Sequence, residues 1–332
     1  MKKILVTGAN GFLGAHLVRF LSRQPDIQVL AMHREHSDLS LVKDLLDSPG
    51  IRWITGDVLV LSALRDAIRT ADVVIHNAAV VSYRRREAAQ MIAVNVEGTA
   101  NIVNLMLEEE NPGRLIYISS VAATGHVEQG LIDENAEWRD EVYHSNYSWS
   151  KYWAELEVWR GFAEGLSGLI FNPSTVLGTG NWDQSSCQLF GQVWRGLQFY
   201  APGGTGFVDV RDVVAAVWEG IKRDDLTEER YILNGTNTSY RDLLTRIAGL
   251  LGKPVPRWEV TRLLRRMGLM VIAPLEAVGW WPHPISTEIL RNTGQTNRFD
   301  AQKAIRELSI QFTPLEETLE FTCTQFLAEH TR

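Results

Sequence analysis

Strand, glycine turn and helix follow one another without a gap near the start of the chain, and this narrows its possible folds more than any other feature. Ile4-Leu5-Val6 is a short aliphatic run, Thr7-Gly8-Ala9-Asn10-Gly11-Phe12-Leu13-Gly14 follows at once, and Ala15, Leu17, Val18 and Leu21 carry helical apolar spacing. Gly8 permits a tight turn, Gly11 lets the backbone approach a pyrophosphate, and Gly14 lets the helix pack closely on the sheet. The glycines are spaced three and three, against two and three in the commonest dinucleotide fingerprint. In this reading Gly8, Asn10, Gly11, Phe12, Leu13 and Gly14 form a cofactor loop; the alternative is an ordinary strand-to-helix turn.

The first half continues to alternate short apolar runs with amphipathic ones, as strand-helix-strand units stacked in a parallel sheet require. Residues 4–6, 29–32, 52–54, 73–76, 115–119 and 169–172 are expected strands, rich in aliphatic side chains and bounded by Gly, Asp, Asn or Pro. The spacing of Met91, Val94, Ile102, Leu105 and Met106 predicts one long helix over 84–110, stopped by Pro112 and Gly113. Later, residues 231–233 are expected as a strand and 240–251 as a helix, ended by Gly252, Lys253 and Pro254. Residues 256–284, arginine-rich and then tryptophan-rich, suggest a helical lid over an apolar surface. The expected fold is α/β, a Rossmann-type doubly wound parallel sheet over residues 1–175. Residues 176–332 form a smaller, mostly helical substrate-binding region, with segments around 207–235 returning to the first domain.

Further residues fit the same cofactor. Asp57-Val58 follows the third strand, where a carboxylate can accept from an adenine amine; capping the next helix is the alternative. Asn77-Ala78-Ala79 follows the fourth strand, and its small residues leave room for a ribose, or serve packing alone. The second strand ends in Met32-His33-Arg34, without the acidic residue that a ribose diol requires. Arg34, with Ser37 nearby, suits a 2′-phosphate through its planar donor fork, so NADP(H) is favoured over NAD(H).

A second constellation lies in Tyr147-Ser148-Trp149-Ser150-Lys151. Four residues apart at the start of a helix, the phenol and the ammonium share one face. A free tyrosine has a pKa of about 10 and transfers protons poorly at neutral pH unless positive charge favours the phenolate. Lys151 supplies such a charge, and an oxidised nicotinamide would supply another. Ser119 and Ser120 end the fifth strand, at the edge where parallel sheets place ligand-binding groups; capping is the alternative for each.

Composition excludes several classes. A net charge of −7 and a pI near 5.7 oppose a nucleic-acid partner, and Arg84-Arg85-Arg86 is too short a run to reverse this. That run is read as a solvated helix start. Cys187 and Cys323 lie far apart without metal or redox spacing, so no metal is expected. The stretch 267–281 is interrupted by Pro274 and Glu276 and is too short to span a bilayer. Two lysines run directly into the first strand, leaving no room for a signal peptide, so a cytoplasmic location is expected.

Taken together, Thr7 to Gly14, Asp57-Val58, Asn77-Ala78-Ala79, Asn95, Ser120, Tyr147 to Lys151 and Asn172-Pro173 resemble the extended short-chain dehydrogenase/reductase family. The resemblance continues through Gly206-Phe207-Val208-Asp209-Val210-Arg211-Asp212-Val213. It implies that Tyr147 is the general acid/base, that Lys151 holds the nicotinamide ribose and lowers the tyrosine pKa, and that Ser120 orients the reacting oxygen. It further implies that Asn95 orders a water beside Lys151 and that Asn172-Pro173-Ser174 flank the nicotinamide carboxamide. Many relatives carry arginine where Asn172 stands.

Within the family, Ala78-Ala79-Val80-Val81-Ser82, Asn95-Val96-Glu97-Gly98-Thr99 and Asn172-Pro173-Ser174-Thr175-Val176-Leu177-Gly178 are most similar to the dihydroflavonol reductase and 3β-hydroxysteroid dehydrogenase branch. That implies hydride transfer between nicotinamide and a small-molecule carbonyl or alcohol. Val121-Ala122 replace the Asp-Glu pair of the nucleotide-sugar dehydratases, which weakens that reading. A nucleotide-sugar epimerase is the second reading, with the loop 180–188 and Arg195 meeting a diphosphate; a non-catalytic NADP-binding sensor is the third. Val81, Ser82, Trp182 and Phe207 are candidate substrate contacts. Trp182, Phe190, Trp194, Phe199, Phe207 and Trp280-Trp281 suggest a largely apolar pocket. The helices around 84–110 and 146–164 commonly form a dimer interface in the family, which implies a homodimer.

Overall fold

The computed structural model of the protein describes residues 1–109, 112–140, 144–277 and 286–331. In chain order its strands are β1 (Lys2–Thr7), β2 (Ile27–His33), β3 (Ile51–Thr55), β4 (Val73–His76), β5 (Arg114–Ile118), β6 (Gly168–Pro173), β7 (Thr175–Leu177), β8 (Phe199–Tyr200), β9 (Gly204–Asp209), β10 (Glu229–Leu233), β11 (Thr236–Ser239) and β12 (Trp258–Glu259). Its helices are α1 (Phe12–Leu21), α2 (Leu61–Arg69), α3 (Ala88–Ile92), α4 (Gly98–Leu107), α5 (Asn146–Ala163), α6 (Gln188–Trp194), α7 (Val210–Lys222), α8 (Tyr240–Leu250), α9 (Arg262–Ala277), α10 (Thr287–Asn292), α11 (Gln302–Leu308) and α12 (Leu315–His330).

Seven strands pair in parallel in the order β10-β6-β5-β4-β1-β2-β3, a Rossmann-type sheet. Alternate residues of β1 serve opposite faces. Ile4 and Val6 pack with Leu17, Val18, Val213 and Val217 on one side, and Leu5 packs with Leu64, Ile102 and Val158 on the other. Helices cover both faces, which is why these strands read as unbroken aliphatic runs rather than alternating ones. A third cluster holds α6, α8 and α12 together around Phe190, Leu243, Leu319 and Phe326. It is joined to the sheet side by Asp209, which accepts from Thr318 at 2.9 Å, and by Asp212, which accepts from Thr313 at 2.7 Å.

The strand order reverses at β1, which has β2 on one side and β4 on the other. Ligands of open parallel sheets lie in the crevice at the carboxyl ends of such strands. The turns after β1, β4, β5 and β6 all open there. The late strand β10 completes the β6 edge and pairs Tyr231 with Phe171.

The helix expected over 84–110 is not continuous. A tight turn at Arg85–Glu87 leads into α3, a wide π-turn occupies Ala93–Glu97, and α4 ends at Leu107; Glu110 lies outside the described residues. The extra residue in the wide turn sets the Asn95 side chain inward, where it is buried, and such bulges often mark functional positions. Arg84 and Arg86 both lean on Glu87, as a solvated helix start would.

Buried His76 links β4 to its neighbours on both sides. Thr7 Oγ1 already accepts from the backbone of Asn77 and Ala78, so its proton goes to His76 Nδ1 at 2.9 Å. Nε2–H then donates to Thr99 Oγ1 at 2.9 Å, and Thr99 donates to the Asn95 carbonyl. The imidazole is satisfied only when neutral, and burial pushes its pKa down to about 3. Because the folded pKa lies below the unfolded value, the unfolded chain binds the proton first. This group's contribution is complete above about pH 6.5 and is lost as pH falls towards 3. Urea melts of wild type and His76→Gln at pH 7 and pH 5 should show wild type losing about 2 kcal/mol more over that interval. Equal losses would sink the assignment.

Candidate active site

Gly8 sits at φ +66°, a left-handed conformation, and a Cβ there would lie 2.8 Å from Ala78 Cα. A Cβ on Gly14 would stand 2.1 Å from the Gly8 carbonyl oxygen, so the loop cannot close over α1 without this glycine. No side chain caps the N-terminus of α1, which leaves its leading N–H groups directed at the crevice. Asn77 donates to the Gly8 carbonyl at 3.3 Å, and Asn10 reaches across to the Asp38 carbonyl at 3.0 Å. That bond draws the segment carrying exposed Arg34 and Ser37 alongside the loop, and the Ser37 amide donates to the Arg34 carbonyl. Phe12 and Leu13 turn partly inward beside the loop, Phe12 against Gly180.

Asp57 is engaged locally. Its Oδ1 accepts from the Leu59 amide at 2.9 Å, while α2 begins behind Val60 without a side-chain cap, so the helix-cap alternative is not what forms. Val58 is buried against Gly98, where a Cβ would come within 2.6 Å of its Cγ2. Ala79 follows Ala78 on the exposed rim of the crevice.

The helix carrying Tyr147 and Lys151 is fixed from its first turn. Ser145 accepts from the Ser148 amide at 3.0 Å, an ordinary N-cap. Glu288, from α10, accepts from the Asn146 backbone at 2.5 Å and from its side chain at 3.1 Å. A carboxylate at a helix N-terminus also complements the dipole. Tyr147 is enclosed, with Tyr83 edge-on at 6.0 Å between ring centres, and the Ser120 hydroxyl hydrogen-bonds its phenol. Burial raises the phenol's pKa and the Ser120 bond opposes the rise. The depression expected from Lys151 does not appear, for its ammonium is directed at the Ile118 carbonyl and Tyr117 instead.

Lys151 is itself buried and donates to the Ile118 carbonyl at 2.9 Å and to Tyr117 Oη at 3.4 Å. Burial pushes its pKa down to about 8, and the nearby Glu155 carboxylate pulls it up. Glu155 was not singled out from the sequence. One turn beyond Lys151, it is buried and accepts from Ser119 at 2.7 Å, Asn172 at 2.9 Å and Arg230 at 3.1 Å. The two serines after β5 therefore separate: Ser119 turns to Glu155, while Ser120 accepts from the Ala122 amide at 3.1 Å, the capping role, and lies beside the Tyr147 phenol. The i, i+4 spacing from Lys151 was the available signal, but an acidic residue on a helix ordinarily reads as solvated.

Asn95 does not stand free beside Lys151. Its amide donates to the Val80 carbonyl and to Ser150 Oγ, both at 2.9 Å, and its Oδ1 accepts from the Val80 amide at 2.7 Å. It holds the strand-end segment to α5, a clamp in place of the expected water-ordering role for the side chain. Asn172 donates to the Ser120 carbonyl at 3.0 Å as well as to Glu155. Its Oδ1, with Ser174 Oγ, is buried and without a protein partner among the described residues. Two orphaned acceptors at the end of β6, on either side of Pro173, match the needs of a carboxamide donor. With the cradle at Gly8 to Gly14, they fit a nicotinamide dinucleotide.

Three proposed substrate contacts are corrected. Trp182 and Phe207 are core residues: Trp182 packs at 5.0 Å on Phe326 and donates to Glu329, and Phe207 is 1% exposed. Both face the cluster under α8 and α12, where apolar burial favours them more than a ligand site would. Ser82 is buried and donates to Glu87 at 2.7 Å. Val81 is exposed, and Trp280-Trp281 lie outside the described residues. Arg195 pairs with Asp183 at 2.9 Å. A cavity of about 420 Å³ opens at the start of α5, with Tyr83, Arg85, Asn146, Trp149, Glu276 and Glu288 in its wall, so its lining is mixed rather than largely apolar.

The chain matches the NAD dependent epimerase/dehydratase family over residues 4–234. It is 30% identical to a putative dihydroflavonol 4-reductase of Synechocystis sp., covering 95% of this chain and 91% of that one. It is also 30% identical to sterol demethylase protein B of Methylococcus capsulatus, covering 92% of each. Among solved structures, that of gox2253 superposes with a TM-score of 0.84 at 27% identity, covering 100% of this chain and 99% of the other.

The Glu155 network has a measurable cost. Glu155→Gln leaves Arg230 without its carboxylate and should destabilise the fold by roughly 3 kcal/mol in urea unfolding. Adding Arg230→Met, which removes the stranded charge, should recover part of the loss. A single variant as stable as wild type would remove Glu155 from the account.

Proposed function

The chain belongs to the NAD-dependent epimerase/dehydratase family, within the extended short-chain dehydrogenases/reductases, and on that premise we propose how it acts. It is an oxidoreductase that moves a hydride between nicotinamide and a carbonyl or alcohol of a small molecule. The observation that carries this reading is the half-buried Tyr147 phenol in contact with Ser120, one helical turn from buried Lys151 on the side of α5 that faces the end of β5. The relatives named as reductases agree with it. The domain division follows: residues 1–175 carry the cofactor and 176–332 shape the substrate site, with 207–235 packed back on the sheet. Exposed Trp153 and Leu156 on α5 support a homodimer through α4 and α5.

Gly8, Asn10, Gly11, Phe12, Leu13 and Gly14 would hold the pyrophosphate. Asp57, Val58, Asn77, Ala78 and Ala79 would line the adenosine side, and Asn172, Pro173 and Ser174 the carboxamide. When bound, the nicotinamide supplies or accepts the hydride. In reduction Tyr147 gives its proton to the substrate oxygen, which Ser120 polarises by hydrogen bonding. The raised pKa keeps the phenol protonated at neutral pH, ready to donate. Lys151, which donates to the Ile118 carbonyl, would hold the ribose hydroxyls, and the strand-edge position of Ser120 would keep the reacting oxygen between it and Tyr147.

Tyr147→Phe should lower kcat by roughly a thousandfold with NADPH and a carbonyl panel, while NADPH affinity by fluorescence titration stays unchanged. Activity near wild type in that variant overturns the mechanism. The polar wall of the cavity, with Arg85, Glu276 and Glu288, favours nucleotide-sugar epimerisation as a second reading. Interconversion of UDP-glucose and UDP-galactose without net consumption of NADPH would select it.

Arg34 carries the preference for NADP(H). It stands exposed just past β2, in the segment that Asn10 ties to the loop through the Asp38 carbonyl. Arg34→Glu should reverse the ratio of kcat/KM for NADPH over NADH by about a hundredfold, as loss of a charge-assisted phosphate contact plus a new repulsion implies. A wild-type enzyme indifferent to the two cofactors would defeat this.

A further inference from the structure

The helix α9 is apolar on both of its sides, and only one is covered. Ile272 is buried, and Gly268 packs towards Leu290 of α10. On the other side Leu263, Leu264, Met267, Met270 and Val271 are all exposed, Leu263 by 67% and Met270 by 74%. At helical spacing these five residues, with Pro274, fall within an arc of about 120°. Single exposed apolar side chains are common; a contiguous stripe of them marks an interaction surface.

Arg262 and Arg266 border the stripe, while Arg265 turns back to donate to the Thr293 carbonyl at 2.6 Å. Four residues ahead of α9, Trp258 pairs in register with Phe199, and both rings are exposed. From 253 to 277 the chain carries Lys253, Arg257, Arg262, Arg265 and Arg266 against Glu259 and Glu276, a net +3 in a protein of net −7. No helix among the described residues is long and apolar enough to cross a membrane.

We propose that the outer face of α9, with Trp258 and Phe199, docks on an anionic lipid bilayer and lies in its interfacial layer. An apolar stripe with cationic borders and nearby aromatic rings is the pattern of such helices. The local charge reversal supplies attraction to acidic headgroups that the whole chain lacks. A second copy suits the face less well, because a two-fold interface there brings two basic clusters together. Ala273 and Glu276 continue α9 into the wall of the cavity that Tyr83 and Asn146 also line, so docking sets that cavity at the lipid surface. Entry of a lipid-dissolved substrate follows only with the catalytic reading above; the docking itself does not depend on it.

Co-sedimentation of the full chain with vesicles tests this. With phosphatidylcholine containing about one third phosphatidylglycerol, most of the protein should sediment at low salt, and several-fold less with phosphatidylcholine alone or at high salt. Met267→Asp with Met270→Asp should weaken binding at least tenfold, at about 1.4 kcal/mol per tenfold. Arg262→Glu with Arg266→Glu should do the same without touching the apolar stripe, and it decides the matter should the first pair unfold. Failure to sediment with anionic vesicles at low salt, or binding as tight as wild type by both pairs of variants, overturns the proposal. So does dimerisation of wild type that the methionine changes abolish, since the face then belongs to a second copy.

Discussion

The Glu155 carboxylate lies where α5, the turn after β5, the end of β6 and β10 meet, and the site is organised around it. Three donors converge on it: the Ser119 hydroxyl, the Asn172 amide and the Arg230 guanidinium. A buried carboxylate is tolerated only when it is paired and hydrogen-bonded in this way. The convergence fixes geometry as well as charge. With Ser119 held by Glu155, the chain leaves β5 in a turn that points Ser120 the other way, at Tyr147. With Asn172 held too, its second amide hydrogen reaches the Ser120 carbonyl and locks the same turn from behind.

The same carboxylate tempers a conflict within the site. Tyr147 and Lys151 must be enclosed to exclude water, yet enclosure opposes the charged form of each. Lys151 is drawn down to about 8 by burial and kept from falling further by Glu155. Tyr147 receives no comparable help from a charge and relies on the Ser120 hydroxyl, so its pKa stays above the ordinary phenol value. The arrangement therefore favours a proton held on Tyr147 until a cofactor or substrate adds charge nearby. In its present position Lys151 spends its protons on the Ile118 carbonyl and Tyr117, a resting partnership that a ribose hydroxyl is able to replace.

Much of the sheet was legible because its chemistry is local. A parallel strand buried on both faces must be aliphatic, and a glycine whose Cβ would strike a carbonyl must be glycine; both show in residues 4–14 before any tertiary contact is known. Tyr147, Lys151 and Ser120 were legible for a related reason, their spacing being set by one helix and one strand end. Asn95, Asn172 and Glu155 were harder, because their roles depend on partners 15 to 75 residues away. Sequence offers a polar residue on a helix and cannot say whether it faces water, Val80 or a guanidinium. The break in the helix over 84–110 belongs to the same class: its apolar spacing is helical throughout, and the wide turn at Ala93–Glu97 changes where Asn95 points without changing that periodicity.

The second half shows how aromatic content misleads when partners are unknown. Trp182, Phe190 and Phe207 invite the picture of an apolar pocket, yet the cluster against Phe326 and Leu319 absorbs them all. The cavity at the start of α5 mixes Trp149 and Ala273 with groups that donate and accept, several from α9 and α10. Apolar side chains that the core did not take lie on the far side of α9, turned outward beside Arg262 and Arg266. Had that face been selected only for solubility, a helix so near the mouth of the site would carry acids and lysines there, as the outer face of α12 carries Glu316, Glu317 and Glu320. Unlike α12, α9 is apolar on its outer side as well as its buried one, and such a helix beside basic residues in a chain of net negative charge points to a surface outside the protein that is itself apolar and acidic.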